Sequence, residues 1–201
     1  KAYLGEAYFW RAVPDFWLLA NYRQVSLITH APQGMADYTR PISKPDDVWD
    51  AIIDDLGKAK ENLPKKGYWT GDRLGRVTAA SAAGLRGKAY LYRSGIEPLY
   101  GTSKQTYYDE AAQEFDQIIR GDFGNYSLTT NYGDNFDVAH ENNDESIIEI
   151  QFLGDVENAA FNPATATSGL AFDTRGIMLP GAGVGYEGVV HDWLYDEFAK
   201  S

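Results

Sequence analysis

Along residues 79–94 the smallest side chains fall on one line. Ala80, Ala83, Gly84 and Gly87 occupy the i, i+3, i+4, i+7 positions of a single helix face. Glycine costs about 1 kcal/mol against alanine inside a helix, so two on one face predict the close approach of a second helix. Thr78 is placed to cap the start, and Gly95 to take the left-handed conformation after the end. The partner is predicted over 107–120. Tyr108, Ala111, Ala112, Phe115, Ile118 and Ile119 form its apolar stripe, and Gly121 stops it.

The same period recurs upstream. Residues 1–20 read as an aromatic-rich helix (Tyr3, Tyr8, Phe9, Trp10, Phe16, Trp17), with Pro14 predicting a kink or break near Val13. Residues 25–29 lean towards an extended conformation, and 31–42 read as surface loop. A capping-box-like start at 43–46 leads into a helix running to about Leu63. Its stripe is Trp49, Ile52, Ile53, Leu56, Ala59 and Leu63, and Pro64 ends it. Residues 65–76 are a glycine-rich loop carrying Tyr68 and Trp69. Beyond Gly121 the helical period is lost, and 147–152 reads as a short strand. Residues 154–188 form a long glycine-rich loop region, of the kind that carries function, and a further helix starts near Val189. The expected organisation is a helical scaffold over about 1–121, a loop-rich binding region over about 122–188 and the start of another helix at 189–201. The small-residue face with the Ala111–Phe115 step resembles a tetratricopeptide unit, and an ordinary helical hairpin fits the same pattern.

Composition narrows the function classes. The chain has 201 residues, enough for one domain or a large piece of one. A net charge of −11 argues against nucleic acid, which needs a basic face. The absence of cysteine removes disulfides, a thiol nucleophile and thiolate zinc sites. No apolar run approaches the roughly 20 residues of a membrane helix. Helical pattern starts at Lys1 and an amphipathic run reaches Ser201, so the expectation is an internal fragment, with any signal or lipid anchor outside it.

The three histidines, His30, His140 and His191, lie far apart without ligand spacing. No nucleophile-elbow, zinc-helix or phosphate-loop motif occurs. Asp54 and Asp55 read as solvated helix positions. The cluster Asp134, Asp137, Glu141, Asp144 and Glu145 reads first as turn-making and capping, with calcium as an alternative that lacks EF-hand spacing. Aromatic residues are 14% of the chain, high for a globular protein. Those outside helical stripes suit the apolar face of a sugar, with amides and charged groups for its hydroxyls. The candidates are Trp69, with Tyr68 beside it, then Phe161, Phe172 and Tyr186 with Asn158, Asn162, Asp173 and Arg175 nearby.

Four colinear stretches carry a family resemblance. The first is Gly5-Glu6-Ala7-Tyr8-Phe9-Trp10-Arg11-Ala12, followed by Asn21-Tyr22-Arg23-Gln24-Val25-Ser26-Leu27-Ile28-Thr29. The second is the helical pattern from Val48 to Pro64. The third is Gly75-Arg76-Val77-Thr78 leading to Ala89-Tyr90-Leu91-Tyr92. The fourth is Glu141-Asn142-Asn143-Asp144-Glu145-Ser146-Ile147-Ile148-Glu149-Ile150-Gln151-Phe152. Together they resemble the SusD/RagB family of outer-membrane nutrient-binding lipoproteins of Bacteroidetes. The chain departs from the family pattern at Arg23, where glycine is common, at Ser26, where proline is common, and at Pro14.

The resemblance implies a mainly α fold, SusD-like, with tetratricopeptide-like helical pairs, long loops and one or two short strands. It implies capture of an oligosaccharide or polysaccharide, or in some members a peptide, without bond cleavage, catalytic residues, metal or cofactor. It further implies delivery to a SusC-like TonB-dependent transporter and attachment to the outer membrane, facing outwards, by a lipid anchor outside this sequence. In that reading Asn142, Asn143 and Glu145 tie the irregular segment to the strand after it. A tetratricopeptide-type protein-interaction scaffold and a helical glycoside hydrolase are the alternatives from other classes.

Overall fold

In a computed structural model, residues 1–151 are described, apart from 36–38 and 102–103. The chain divides into two units, Lys1–Glu149 and Ile150–Ser201, and the architecture below is that of the first. Four helices follow in order: α1 (Ala2–Tyr22), α2 (Pro45–Asn62), α3 (Ala79–Tyr100) and α4 (Tyr108–Ile119). Short 3₁₀ turns lie at Gly71–Arg73, Tyr132–Phe136 and Val138–His140.

Successive helices run antiparallel. Near the start of α1, Gly5 lies against Leu63 at the end of α2, while Phe16 packs edge-on against Trp49 near the start of α2. Phe9, Ala12, Phe16 and Leu19 of α1 and Val48, Trp49, Ile52 and Leu56 of α2 are all buried. Trp49, Ile52 and Leu56 belong to the stripe expected from sequence, Val48 adds to it, and together they form one core with Val77, Ala79, Ala82 and Ala89 of the next segment.

The predicted close approach of α3 and α4 is present. A Cβ built on Gly87 would lie 2.6 Å from Phe115, and one on Gly84 would lie 3.7 Å from Ile118. Thr78 is the N-cap of α3 in a capping box with Ser81, as its sequence position suggests. Gly121, at φ 80°, follows α4.

Four expectations are corrected. Helix α1 is continuous through Pro14. Pro14 and Trp10 are both on the exposed face, so the carbonyl that the proline leaves without its helical donor faces water, while Phe9, Ala12 and Phe16 hold the inner face. Helix α3 does not stop at Gly95 but runs on to Tyr100. Its last turns are anchored from outside: Ser94 Oγ accepts from the Tyr107 N–H at 2.7 Å, and Glu97 is held by Arg23 and Trp49. Ser43 does not cap α2, whose N-cap is Lys44. Ser43 instead exchanges hydrogen bonds with the extended segment, its N–H donating to Val25 O and its Oγ accepting from Leu27 N–H. Residues 147–151 form no strand. The Ile147 carbonyl, which a sheet neighbour would satisfy, accepts from Ser81 Oγ at 3.0 Å. Phe152, the last residue of that predicted strand, lies outside the described residues.

Candidate functional site

The loop between α2 and α3 is built around Trp69. Trp69 is only 6% exposed, and its indole N–H donates to Val77 O at 3.0 Å. Tyr3 of α1 packs tilted against it, Tyr68 packs edge-on, and the Arg76 guanidinium lies 4.8 Å from its ring centre. Arg76 is fixed by a charge-assisted fork to Glu6 of α1. The sequence offers Trp69 as a sugar platform; the structure makes it a buried anchor whose polar handle is already used. The exposed aromatic of the pair is Tyr68, at 63%.

A narrow cleft of about 80 Å³ opens beside this anchor. Its walls include Lys66, Trp69, Arg76, Tyr126, Asn142 and Glu149. Lys66 lies 4.4 Å from the Tyr126 ring centre and pairs with Asp144. Asn142 takes a left-handed backbone (φ 56°), and its N–H donates to both oxygens of Glu149. Asn143 Oδ1 accepts from the N–H groups of Glu145 and Ser146. Glu145 reaches back to Thr129 and Asn135. The hydrogen bonds from Asn135 and then from the Thr129 N–H hold its carboxyl below the ordinary glutamate range. Asp137 is likewise held low, first by the Ala139 N–H and then by His140. This part of the acidic stretch is therefore turn-making, as its sequence suggests. Among the described residues no group of three histidines or carboxylates is arranged to hold a metal ion.

Sequence reasoning passed over Tyr3, Lys66, Arg76 and Tyr126. Arg76 was legible in principle. It follows Gly75, whose φ of 83° turns the chain so that the guanidinium lies between Tyr3, Trp69 and Glu6. Asn158, Phe161, Asn162, Phe172, Asp173, Arg175 and Tyr186 lie outside the described residues.

Comparison with known proteins decides the kinship. A SusD-like protein of Bacteroides ovatus is 32% identical over 172 residues, which is 86% of this chain and 30% of the relative. The chain belongs to the SusD-like family. No family model matches it. A SusD-like protein of Bacteroides fragilis, solved by crystallography, superposes with a TM-score of 0.61 at 25% identity, covering 77% of this chain and 28% of that one. A laminarin-binding SusD-like protein superposes with a TM-score of 0.58 at 29% identity, covering 73% and 30%. The chain thus spans about 30% of the length of the relative it matches.

Within this SusD-like frame the departure at Arg23 becomes intelligible. Its φ is 62°, a left-handed backbone that glycine adopts without strain. The arginine keeps that turn, and its guanidinium forks onto Glu97 at 2.6 and 3.2 Å. Trp49 Nε1 donates to the same carboxylate at 2.8 Å, and Glu97 is 1% exposed. Burial alone would raise the Glu97 pKa; the bonds from Arg23 and Trp49 outweigh it and leave the group below its ordinary value.

Proposed function

We propose that this chain is part of a cell-surface protein that captures oligosaccharide without cutting it and passes it to a SusC-like TonB-dependent transporter. The observation that carries this reading is the similarity, across most of the chain, to SusD-like proteins, one of which binds laminarin. The helices act as scaffold, and ligand contacts fall to the loops. Phe161, Phe172 and Tyr186 receive sugar faces, while Asn158, Asn162, Asp173 and Arg175 take hydroxyls. No described helix is long and apolar enough to cross a membrane. In this account the protein is held at the outer membrane by a lipid anchor outside this sequence.

Three buried carboxylates of the helices favour binding over hydrolysis. A glycosidase needs two carboxyl groups free to face the scissile bond. Asp55, expected from sequence to be solvated, is instead buried and forked by Arg11 at 2.6 and 2.7 Å. Glu114 is 4% exposed and held by Lys60 and Arg86. Glu97 is consumed by Arg23 and Trp49. Each of these carboxylates is tied to the scaffold.

Affinity electrophoresis of the full-length protein in gels cast with laminarin, starch or xylan tests capture. Retardation by one glycan is expected, relieved by alanine at Phe161, Phe172 or Tyr186. Co-purification with a transporter expressed from the same cells tests delivery. Retardation by no glycan, together with tight binding of a peptide, would overturn the sugar reading.

A further inference from the structure

The buried Trp69 leaves an aromatic surface beside it without an assigned task. Tyr68 sits edge-on against the Trp69 ring, centroids 4.9 Å apart at 82°. Trp69 is fixed by its hydrogen bond to Val77 and by Arg76, so the tyrosine rests on a rigid support. The backbone around it is tied down as well. Lys66 N–H donates to Phe123 O at 2.9 Å, and the 3₁₀ turn Gly71–Arg73 is closed by Leu74 N–H to Gly71 O at 3.0 Å.

Tyr68, Trp69, Thr70, Asp72 and Arg73 line a shallow, open depression of about 400 Å³. That lies in the range of small-ligand sites, about 300–1,000 Å³. Its polar groups are unspent: among the described residues none hydrogen-bonds or ion-pairs with the Asp72 carboxylate, the Arg73 guanidinium or the Tyr68 hydroxyl. Elsewhere in the scaffold Arg11, Arg23, Arg76, Arg86 and Arg93 all have carboxylate partners. A rigid aromatic face beside one carboxylate, one guanidinium and a threonine hydroxyl is the chemistry that recognises a neutral pyranose. The ring takes the C–H face, the carboxylate accepts from a vicinal diol, and the guanidinium donates to the ring or glycosidic oxygens.

We infer that the loop over residues 66–74 carries a sugar subsite, with Tyr68 as the stacking platform and Asp72 and Arg73 as the hydroxyl-binding pair. It is separate in sequence from the candidates at 158–186 and rests on the glycan-capture reading. Such a subsite adds a point of contact for a glycan, and the gain is expected to grow with the length of the sugar bound.

The test is calorimetric titration of the full-length protein with laminarihexaose and maltohexaose, then with the matching trisaccharides. Tyr68→Ala is expected to weaken hexasaccharide binding about tenfold, the scale of one lost stacking contact. Tyr68→Phe is expected to stay within about twofold, because the ring face remains. Asp72→Asn is expected to weaken binding about fivefold. Both positions are exposed, so circular dichroism and melting should match wild type. Wild-type affinity in Tyr68→Ala, with binding still lost in the Phe161 and Phe172 variants, would overturn the subsite and leave capture standing. Failure of the wild type to bind either sugar, or any glycan of the wider panel, would overturn both.

Discussion

The two helical hairpins reach the same antiparallel geometry by opposite means. Between α1 and α2 the gap is filled with bulk: Phe9, Phe16, Leu19, Trp49, Ile52 and Leu56 are all buried. Between α3 and α4 the gap is closed by removing bulk at Gly87, which lets Phe115 lie close to the α3 backbone, while a Cβ at Gly84 would meet Ile118 only at ordinary contact distance. The small-residue hairpin has less apolar area to bury and is supplemented by charge. Glu114 of α4 is 4% exposed and receives Lys60 from α2 and Arg86 from α3. Bulk thus fills the first pair and shape fit closes the second, while paired charge serves both, since Arg11 of α1 forks the buried Asp55 of α2.

That contrast is open to direct attack. The largest effect is expected from Trp49→Ala, which empties the centre of the bulky hairpin and strips a donor from Glu97. Urea unfolding should register a loss of about 3–5 kcal/mol. Acid comes next. Because the folded pKa of Glu97 lies below its ordinary value, its contribution is complete above the usual glutamate range and is lost as pH falls through the folded value. Between about pH 5 and about pH 3, bracketing the free glutamate pKa, wild type should lose more stability than Glu97→Gln. Equal slopes would show that the buried carboxylate is not ionised as described.

Smaller effects separate the two uses of glycine within α3. Gly87→Ala forces a Cβ onto Phe115, so it should destabilise by about 1–2 kcal/mol, overpacking set against better helix propensity. Phe115→Leu in the same chain should recover part of that loss. Gly95→Ala meets no atom within 4 Å inside the same helix and should stabilise by about 0.5–1 kcal/mol. If both alanines moved stability in the same direction, the close-approach account of this hairpin would fail.

Range decides how much of this was legible in the sequence. The glycine face of α3, the apolar stripe of α2 and the Thr78 cap are written within a few turns of chain and could be read locally, whereas Tyr108, Ala112 and Ile119 of the stripe expected for α4 are exposed and Glu114 takes a place on its inner face. Buried carboxylates could not be read this way. Glu6, Glu97 and Glu114 occupy positions that look polar and exposed, and their partners Arg76, Arg23 and Arg86 lie 70, 74 and 28 residues away. The overshoot of α3 past Gly95 has the same cause, since its last turns are held by Arg23, Trp49 and Tyr107. At the site, the pattern singled out Trp69 as an aromatic outside a helical stripe. Its burial depends on Tyr3 and Arg76, which local spacing does not connect to it.

The most direct test of capture is tryptophan and tyrosine fluorescence of the full-length protein, titrated with a panel of oligosaccharides while the sugars are followed by chromatography. The account expects a saturable change with at least one glycan and recovery of that glycan at its original length. Shortened products would make the protein a hydrolase and contradict it, and so would silence towards every glycan alongside saturable binding of a peptide.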